Sequence, residues 1–287
     1  MNSSKAHFHT TLVLALILGA HLGLQAESWK DKVSSPISNP VFFESPFIKS
    51  ELEPVFMWNK IADPPDFVGG DLFLYAAQIR WAVNDRLAII ATKDGYIDAN
   101  PGLLSHESGF GDLAAGVKYA LIDNEEAQFI LAPGLEVELP TGHQRVFQGN
   151  GKGEWDLFVS AAKGCGNFHA MANVGLRIPN DFSAETANAH YSLQLDYWTC
   201  QYFIPFVSLN AFTTLNSANA TPFAVEGYDL INLGASQAAG ETRVLCGGGF
   251  SSRITKRISL GFAFETSMVK PKGLVDKRLT SSVNIGF

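Results

Sequence analysis

Charged side chains stand inside segments that are otherwise apolar, where an ordinary protein core would not accept them. In residues 111–140 (GDLAAGVKYALIDNEEAQFILAPGLEVELP), four of them lie among leucines and valines: Asp112, Lys118, Glu136 and Glu138. A charge withdrawn from bulk water needs a partner charge or remaining hydration. The pattern therefore indicates a wet interior, with side chains that bias the passage of ions or hold the structure together through ion pairs.

Two other residues have a spacing that nucleophilic chemistry uses. His190 and Ser192 stand two residues apart, so an extended chain places both on one face, where an imidazole can activate a hydroxyl. Outer-membrane phospholipase A uses the same spacing but follows its serine with Asn-Gly, whereas Leu193-Gln194 follows here. A histidine satisfied by its neighbours is the favoured interpretation. The chain is predicted not to be an enzyme, with a lipid hydrolase as a remote alternative.

The N-terminus has the pattern of an export signal. Lys5 precedes the apolar run of residues 12–20, and Leu24-Gln25-Ala26 resembles a cleavage site, which predicts a signal peptide over residues 1–26. The formal net charge is −7, and no run of basic residues occurs, so nucleic acid is not an expected partner. The spacing of cysteines and histidines suggests no metal site, and no cofactor is expected. A disulfide between Cys165 and Cys200 is left open.

Alternation of apolar and polar residues defines the secondary structure, because successive side chains of a strand point to opposite faces. Several strands reach 10 to 13 residues, close to the length that a tilted membrane strand needs. The predicted strands cover residues 51–58, 70–82, 86–97, 110–121, 127–139, 154–163, 168–179, 190–199, 202–214, 242–252, 258–269 and 279–287.

Short and long connections alternate between these strands. Tight turns such as Asn84-Asp85 and Thr255-Lys256 come after every second strand, and long loops such as residues 140–153 fill the remaining positions. This order predicts an all-β fold: an antiparallel transmembrane β-barrel of about 12 strands, range 10–14, with short periplasmic turns and long external loops. The expected division is a signal peptide (1–26), a periplasmic N-terminal lead (27–50) and an outer-membrane barrel (51–287). A soluble β-sandwich is the alternative.

Strand direction then assigns a depth to the charged residues. The candidates for the lumen at its external mouth are Asp112, Glu136, Glu138, Asp156 and Arg177, and those for its periplasmic side are Arg80, Lys118 and Asp196. The acidic residues predict a modest preference for cations, and the alternative is a set of ion pairs between strands. His190 and Ser192 fall on the same inner face, whereas lipid hydrolysis requires them to face lipid.

The last residues and the longest loop complete the prediction. Val283, Ile285 and the terminal Phe287 share one face, which is similar to the C-terminal signal that the barrel-assembly machinery reads. Loop 216–242 contains several apolar residues, and three arrangements are open for it: an inward constriction, an external lid or a further strand. The expected partners are outer-membrane lipid, the assembly machinery and a small-molecule solute.

Two stretches resemble a known family. GFGDLAAGVKYALI (109–122) and LAPGLEVELPTG (131–142) resemble the outer-membrane proteins named for the meta-pathway of phenol degradation. The resemblance implies a transporter or channel for small, hydrophobic or aromatic compounds, and it brings no catalytic residues. The leading functional hypothesis is passive passage of small solutes across the outer membrane. The alternative is a non-conducting barrel that binds partners or stabilises the membrane.

Overall fold

The computed structural model describes residues 28–63, 68–102, 104–270 and 272–287. Within them the chain forms a short helix α1 (Trp29–Lys32), a 3-10 turn (Gln144–Val146) and fifteen strands. The strands are β1 Glu51–Ile61, β2 Gly70–Ala82, β3 Leu87–Lys93, β4 Tyr96–Pro101, β5 Glu107–Phe110, β6 Leu113–Tyr119, β7 Ile122–Asn124, β8 Phe129–Leu139, β9 Glu154–Cys165, β10 Phe168–Pro179, β11 Asn188–Tyr197, β12 Ile204–Thr214, β13 Thr242–Arg253, β14 Ile258–Ser267 and β15 Val275–Gly286. The expected signal peptide, residues 1–26, lies outside the described residues.

The strands form one closed antiparallel sheet, because β1 pairs with β2 on one side and with β15 on the other. Two barrel strands are interrupted. β3 and β4 lie in succession against β2, and β5 and β6 lie in the same order against β4 and β3. β7 continues this second strand along β8. The wall therefore contains twelve strands, which confirms the predicted fold class and strand number.

Alternation along each strand separates an apolar outer face from a largely polar inner face. In β9, Leu157 and Val159 are exposed on the outside, whereas Asp156, Phe158 and Ser160 are buried inside. The opposite arrangement would leave a dry core and a polar surface. The outer face is the one that suits lipid, as expected for a membrane barrel. No helix among the described residues has both the length and the apolar character needed to cross a membrane.

The connections are segregated by length, as the sequence predicts. Residues 83–86, 125–128, 166–167, 198–203 and 254–257 connect strands at one end, named here the short-turn end. Residues 140–153, 180–187 and 215–241 connect them at the other, the long-loop end, where β1, β4 and β14 also end. Loop 215–241 adds no strand to the wall. Its apolar residues instead turn inward and pack with residues of β1, β2 and β4.

Residues 28–50, named here the plug segment, lie inside the barrel and not in the periplasm as expected for the lead. The segment packs Trp29 near β8, β9 and β10, reaches Val41 and Phe42 deep in the lumen, and returns to β1 at the short-turn end. Nearly all of its side chains from residue 33 to 47 are buried. The physical reason is space: a twelve-stranded wall is wider than one that its own side chains fill.

Substitutions on the outer face should destabilise the barrel according to their depth in the bilayer. Leu193 is exposed at the middle of β11, and Leu139 is exposed at the end of β8. Leu193→Arg should lower the free energy of unfolding from lipid vesicles by about 2–4 kcal/mol, and Leu139→Arg by about 0–1, because the cost of a cation falls from the bilayer centre to its surface. Urea unfolding of the refolded variants measures both. Equal, small effects would contradict a lipid-facing Leu193.

Candidate functional site in the barrel lumen

One carboxylate of the plug segment, Glu44, contacts two buried cations of the wall. Arg80 on β2 donates to Glu44 from Nε at 3.0 Å and from Nη2 at 2.8 Å. Lys118 on β6 donates to Glu44 Oε1, which the Arg80 Nε–H also reaches, and at 2.7 Å to the backbone carbonyl of Ser45. Ser160 donates to the carbonyl oxygen of Glu44 at 2.6 Å. The structure therefore brings Arg80 and Lys118 together around Glu44, whose position in the lumen no sequence pattern indicates.

Arg80 has a second set of acceptors that belongs to the wall. Its Nη1 donates to Glu53 at 2.8 Å and lies 3.5 Å from Glu51, both on β1. Its Nη2 also donates to Gln78 at 2.9 Å. Arg80 thus remains compensated without the plug segment. Lys118, in contrast, takes both of its acceptors from that segment.

The acidic residues predicted for the mouth lie together near the long-loop end, and basic residues lie among them. Lys93 contacts Glu138, and Arg177 donates to Glu154 at 2.7 Å. Neither Lys93 nor Glu154 was predicted. Glu136 accepts from Thr92 at 2.7 Å, and Asp156 lies 2.8 Å from His190 Nε2. Asp112 has another function, since it accepts the backbone N–H groups of Gly142 and Gly149 and orders loop 140–153.

The plug segment places one aromatic ring between two of these wall residues. The ring of Phe42 lies 5.0 Å from the imidazole of His190, and the Arg177 guanidinium lies 4.6 Å from the centre of the same ring. A cation over a ring face is attractive in a water-poor site. Gly175 makes room for the imidazole, because a Cβ there would lie 2.2 Å from His190 Nε2. Phe42 thus occupies the space between His190 and Arg177.

The two residues with nucleophile-like spacing have other partners. His190 is engaged by Asp156, and the Ser192 hydroxyl accepts from Asn39 of the plug segment at 3.0 Å. Both side chains are buried inside the barrel and away from lipid. Asp196, predicted for the periplasmic side, lies near the short-turn end, 2.7 Å from His169 Nδ1. Within the described residues, no group of histidine, cysteine and acidic side chains is placed to hold a metal ion.

Loop 215–241 fills the lumen from the long-loop end. Asp229 of this loop accepts from Arg278 on β15 at 2.8 and 2.6 Å, and both side chains are fully buried. Glu226 accepts the backbone N–H groups of Leu233 and Ala235 at 2.7 and 2.8 Å. Burial raises the pKa of Glu226. Of the three arrangements considered for this loop, the structure shows the inward one.

Together the two insertions leave little open space at mid-lumen. A cavity of about 10 Å³ lies between Phe42 and the charged wall, which is about the room of one water molecule. A much larger cavity, about 980 Å³, lies at the short-turn end and is named here the vestibule. Glu51, Glu53, Lys49, Lys256 and Arg257 are among its lining residues. The lumen is thus wide near the short turns and occupied at the level of Phe42.

The C-terminal residues and the cysteines lie at the barrel surface. Ile285 and Phe287 are exposed at the short-turn end, and the backbone N–H of Phe287 donates to Ser50. Val283 shares their outward face. Their recognition by the barrel-assembly machinery stays a prediction. Cys165 and Cys200 are both exposed and unbonded to each other.

The ion pair between Asp229 and Arg278 is expected to keep loop 215–241 ordered. Asp229→Asn should raise the rate of chymotrypsin cleavage at the aromatic and leucine residues of loop 215–241 by about tenfold or more, since losing one partner of a buried ion pair costs about 3–5 kcal/mol and each 1.4 kcal/mol is tenfold. Asp181→Asn is the matched control, because Asp181 pairs with the exposed Lys152. Equal cleavage of the two variants would show that Asp229 does not anchor the loop.

Comparison with known proteins identifies similar folds but no related sequence. No family model matches the chain, and no curated protein matches it in sequence. The resemblance to the meta-pathway family therefore stays a prediction.

Among solved structures, the outer membrane channel from Pseudomonas putida F1 is similar with a TM-score of 0.61 at 15% identity, covering 89% of this chain and 100% of that one. The beta domain of the Bordetella autotransporter BrkA follows at 0.50 and 12%, covering 83% and 100%. The KdgM porin has a TM-score of 0.48 at 9%, covering 83% and 99%. At these identities the likeness concerns the fold alone: the chain has the fold of an outer-membrane β-barrel.

Proposed function

We propose that this protein is an outer-membrane channel for the passive passage of small solutes, exported by its signal peptide and closed in this state by the plug segment. The fold supports the location, and a similar barrel is named an outer membrane channel. The observation that carries the proposal is the path of the plug segment. It enters and leaves the lumen at the same end, so it can withdraw without threading through the barrel.

The contacts of the plug segment allow it to bind in the lumen specifically but reversibly. Glu44 fixes its position through Arg80 and Lys118, since charge-assisted hydrogen bonds are short and directional. Phe42, Phe43 and Phe47 bury apolar surface, which stabilises the closed state without directional bonds. Displacement of this segment would open the lumen between the vestibule and the long-loop end, and loop 215–241 would then be the remaining constriction.

The resemblance to the meta-pathway family extends the proposal to small hydrophobic or aromatic solutes. The seat of Phe42 supports this extension, because His190 and Arg177 contact a single aromatic ring there. An aromatic solute would take the same place after the plug segment leaves.

A non-conducting barrel is the second candidate function, and the filled lumen favours it. Both insertions form buried ion pairs with the wall, Glu44 with Arg80 and Asp229 with Arg278. In that case the insertions would act as permanent cores, and the external loops would carry the function. Electrical recordings separate the two candidates.

Removal of the carboxylate from the plug segment should open the channel. Mature protein refolded into planar bilayers should show rare openings in monovalent salt, and Glu44→Ala should show more frequent or larger steps. The reason is that Arg80 and Lys118 lose the group that seats the segment. Glu126→Ala is the matched control, since Glu126 lies exposed in a short turn. Silent bilayers for the wild type and for Glu44→Ala, with folded protein demonstrated, would favour the non-conducting barrel.

The charged residues near the long-loop end should determine the ion selectivity of the open channel. Four carboxylates and two basic side chains line the small cavity beside Phe42. We expect the open channel to prefer cations modestly, because fixed charges in a narrow lumen select counter-ions. Lys93→Met should strengthen this preference. The reversal potential under a salt gradient measures both, and an unchanged potential in Lys93→Met would show that ions do not pass this cluster.

A further inference from the structure

Lys118 depends on the plug segment for its hydrogen-bond acceptors. Its side chain is fully buried on the inner wall, and the acceptors that the structure gives it are the Glu44 carboxylate and the Ser45 carbonyl. A buried ammonium without an acceptor is strongly unfavourable. When the plug segment withdraws, Lys118 therefore requires another anionic or carbonyl oxygen, or water in its place.

Withdrawal of the plug segment would also free the Nε–Nη2 edge of the Arg80 guanidinium from Glu44. Glu44 accepts from its Nε and Nη2, whereas Glu53 is bound to Nη1. The Nε–Nη2 edge of a guanidinium is the planar fork that matches the two oxygens of a carboxylate. Withdrawal of Glu44 exposes this fork beside the ammonium of Lys118. The wall carboxylates Glu51 and Glu53 stay on the other side of Arg80 and do not reach Lys118 within ion-pair distance in the described contacts.

We propose that Arg80 and Lys118 form a binding site for small carboxylate solutes, and that Glu44 occupies this site as a tethered ligand in the closed state. This inference rests on the proposed channel function and names a substrate class for it. As with Glu44, both oxygens of a carboxylate solute accept from the Nε–Nη2 edge of Arg80, and one of them also accepts from Lys118. It thereby compensates Lys118 and occupies the Nε–Nη2 edge of Arg80 that Glu44 leaves, and the open state becomes more populated in its presence.

The site can be reached from the vestibule. This cavity of about 980 Å³ contains Glu51 and Glu53, which adjoin Arg80, and has Lys49, Lys256 and Arg257 in its lining. Its volume is ample for a small organic acid. Four basic side chains (Lys49, Arg253, Lys256 and Arg257) and three acidic ones (Asp31, Glu51 and Glu53) line this cavity. Carboxylates that enter at the short-turn end therefore meet a nearly balanced set of charges before they meet the plug segment.

Tethering determines which solutes compete. A ligand held on a short segment of the same chain has an effective concentration on the order of millimolar. A free carboxylate displaces Glu44 when its concentration, divided by its own Kd, exceeds this effective concentration divided by the Kd of the Glu44 carboxylate. Opening then follows the concentration of the transported solute, which makes the channel respond to its own substrate class.

Binding is tested in a variant that keeps the full chain but vacates the site. For Glu44→Ala in lipid vesicles, acetate at ten times its Kd should lower the unfolding equilibrium constant about tenfold, seen as a higher urea midpoint. Acetamide and equimolar chloride should leave the midpoint unchanged. The double variant Glu44→Ala/Lys118→Met should lose the response. No acetate response, or an equal response to chloride or acetamide, would overturn the carboxylate site.

The wild-type protein supplies a second measurement that requires no variant to fold. Its open probability in planar bilayers should rise with acetate concentration at constant ionic strength, and acetamide should have no effect. Openings that ignore acetate would refute the tethered-ligand inference while leaving the channel intact. Silent bilayers together with an acetate-dependent urea midpoint in Glu44→Ala would instead refute the channel and retain the binding chemistry.

Discussion

Closure of the sheet between β1 and β15 is the constraint on which the rest of this molecule depends. Hydrocarbon offers no hydrogen-bond partner to a backbone, so a sheet in lipid must have no free edge. β1 satisfies this condition by pairing with β2 and β15 at once. Closure also determines the two faces, because alternate side chains must point to lipid or to the lumen. The polar residues of the strands are therefore inside as a consequence of the membrane outside.

A closed wall of twelve strands creates a second problem, which the plug segment and loop 215–241 solve. The lumen is wider than the wall side chains can fill, and charged residues within it need partners. Both insertions bring a carboxylate to a buried wall arginine: Glu44 reaches Arg80, and Asp229 reaches Arg278. The same two insertions therefore fill the lumen and compensate the buried arginines of the wall. The wall and its two insertions depend on each other electrostatically.

Period-two alternation was sufficient to predict the wall but not its contents. Strand positions, the order of loops and the inward direction of Arg80 and Lys118 all follow from local pattern. The sequence could not show that these two residues converge on Glu44, which precedes them by 36 and 74 positions. The lead was expected outside the barrel because its serines and prolines have no strand period. Its burial follows from the free space in the lumen, which is a property of the closed sheet and not of any local segment.

The two insertions enter from opposite ends and meet in one apolar cluster. Val41 and Phe42 of the plug segment pack there with Tyr228 of the loop and with Phe212, Leu245 and Val275 of the wall. Apolar contact is non-directional, so it stabilises the meeting of the insertions without fixing their register. The register comes from the ion pairs at Arg80 and Arg278, one on each side of the cluster. One ion pair can therefore be weakened while the other insertion stays in place, because no hydrogen bond or ion pair among the described residues joins the two insertions directly. In the proposed channel, control of the lumen therefore lies at the two buried ion pairs, and Glu44–Arg80 is the one that adjoins the vestibule through Glu51 and Glu53.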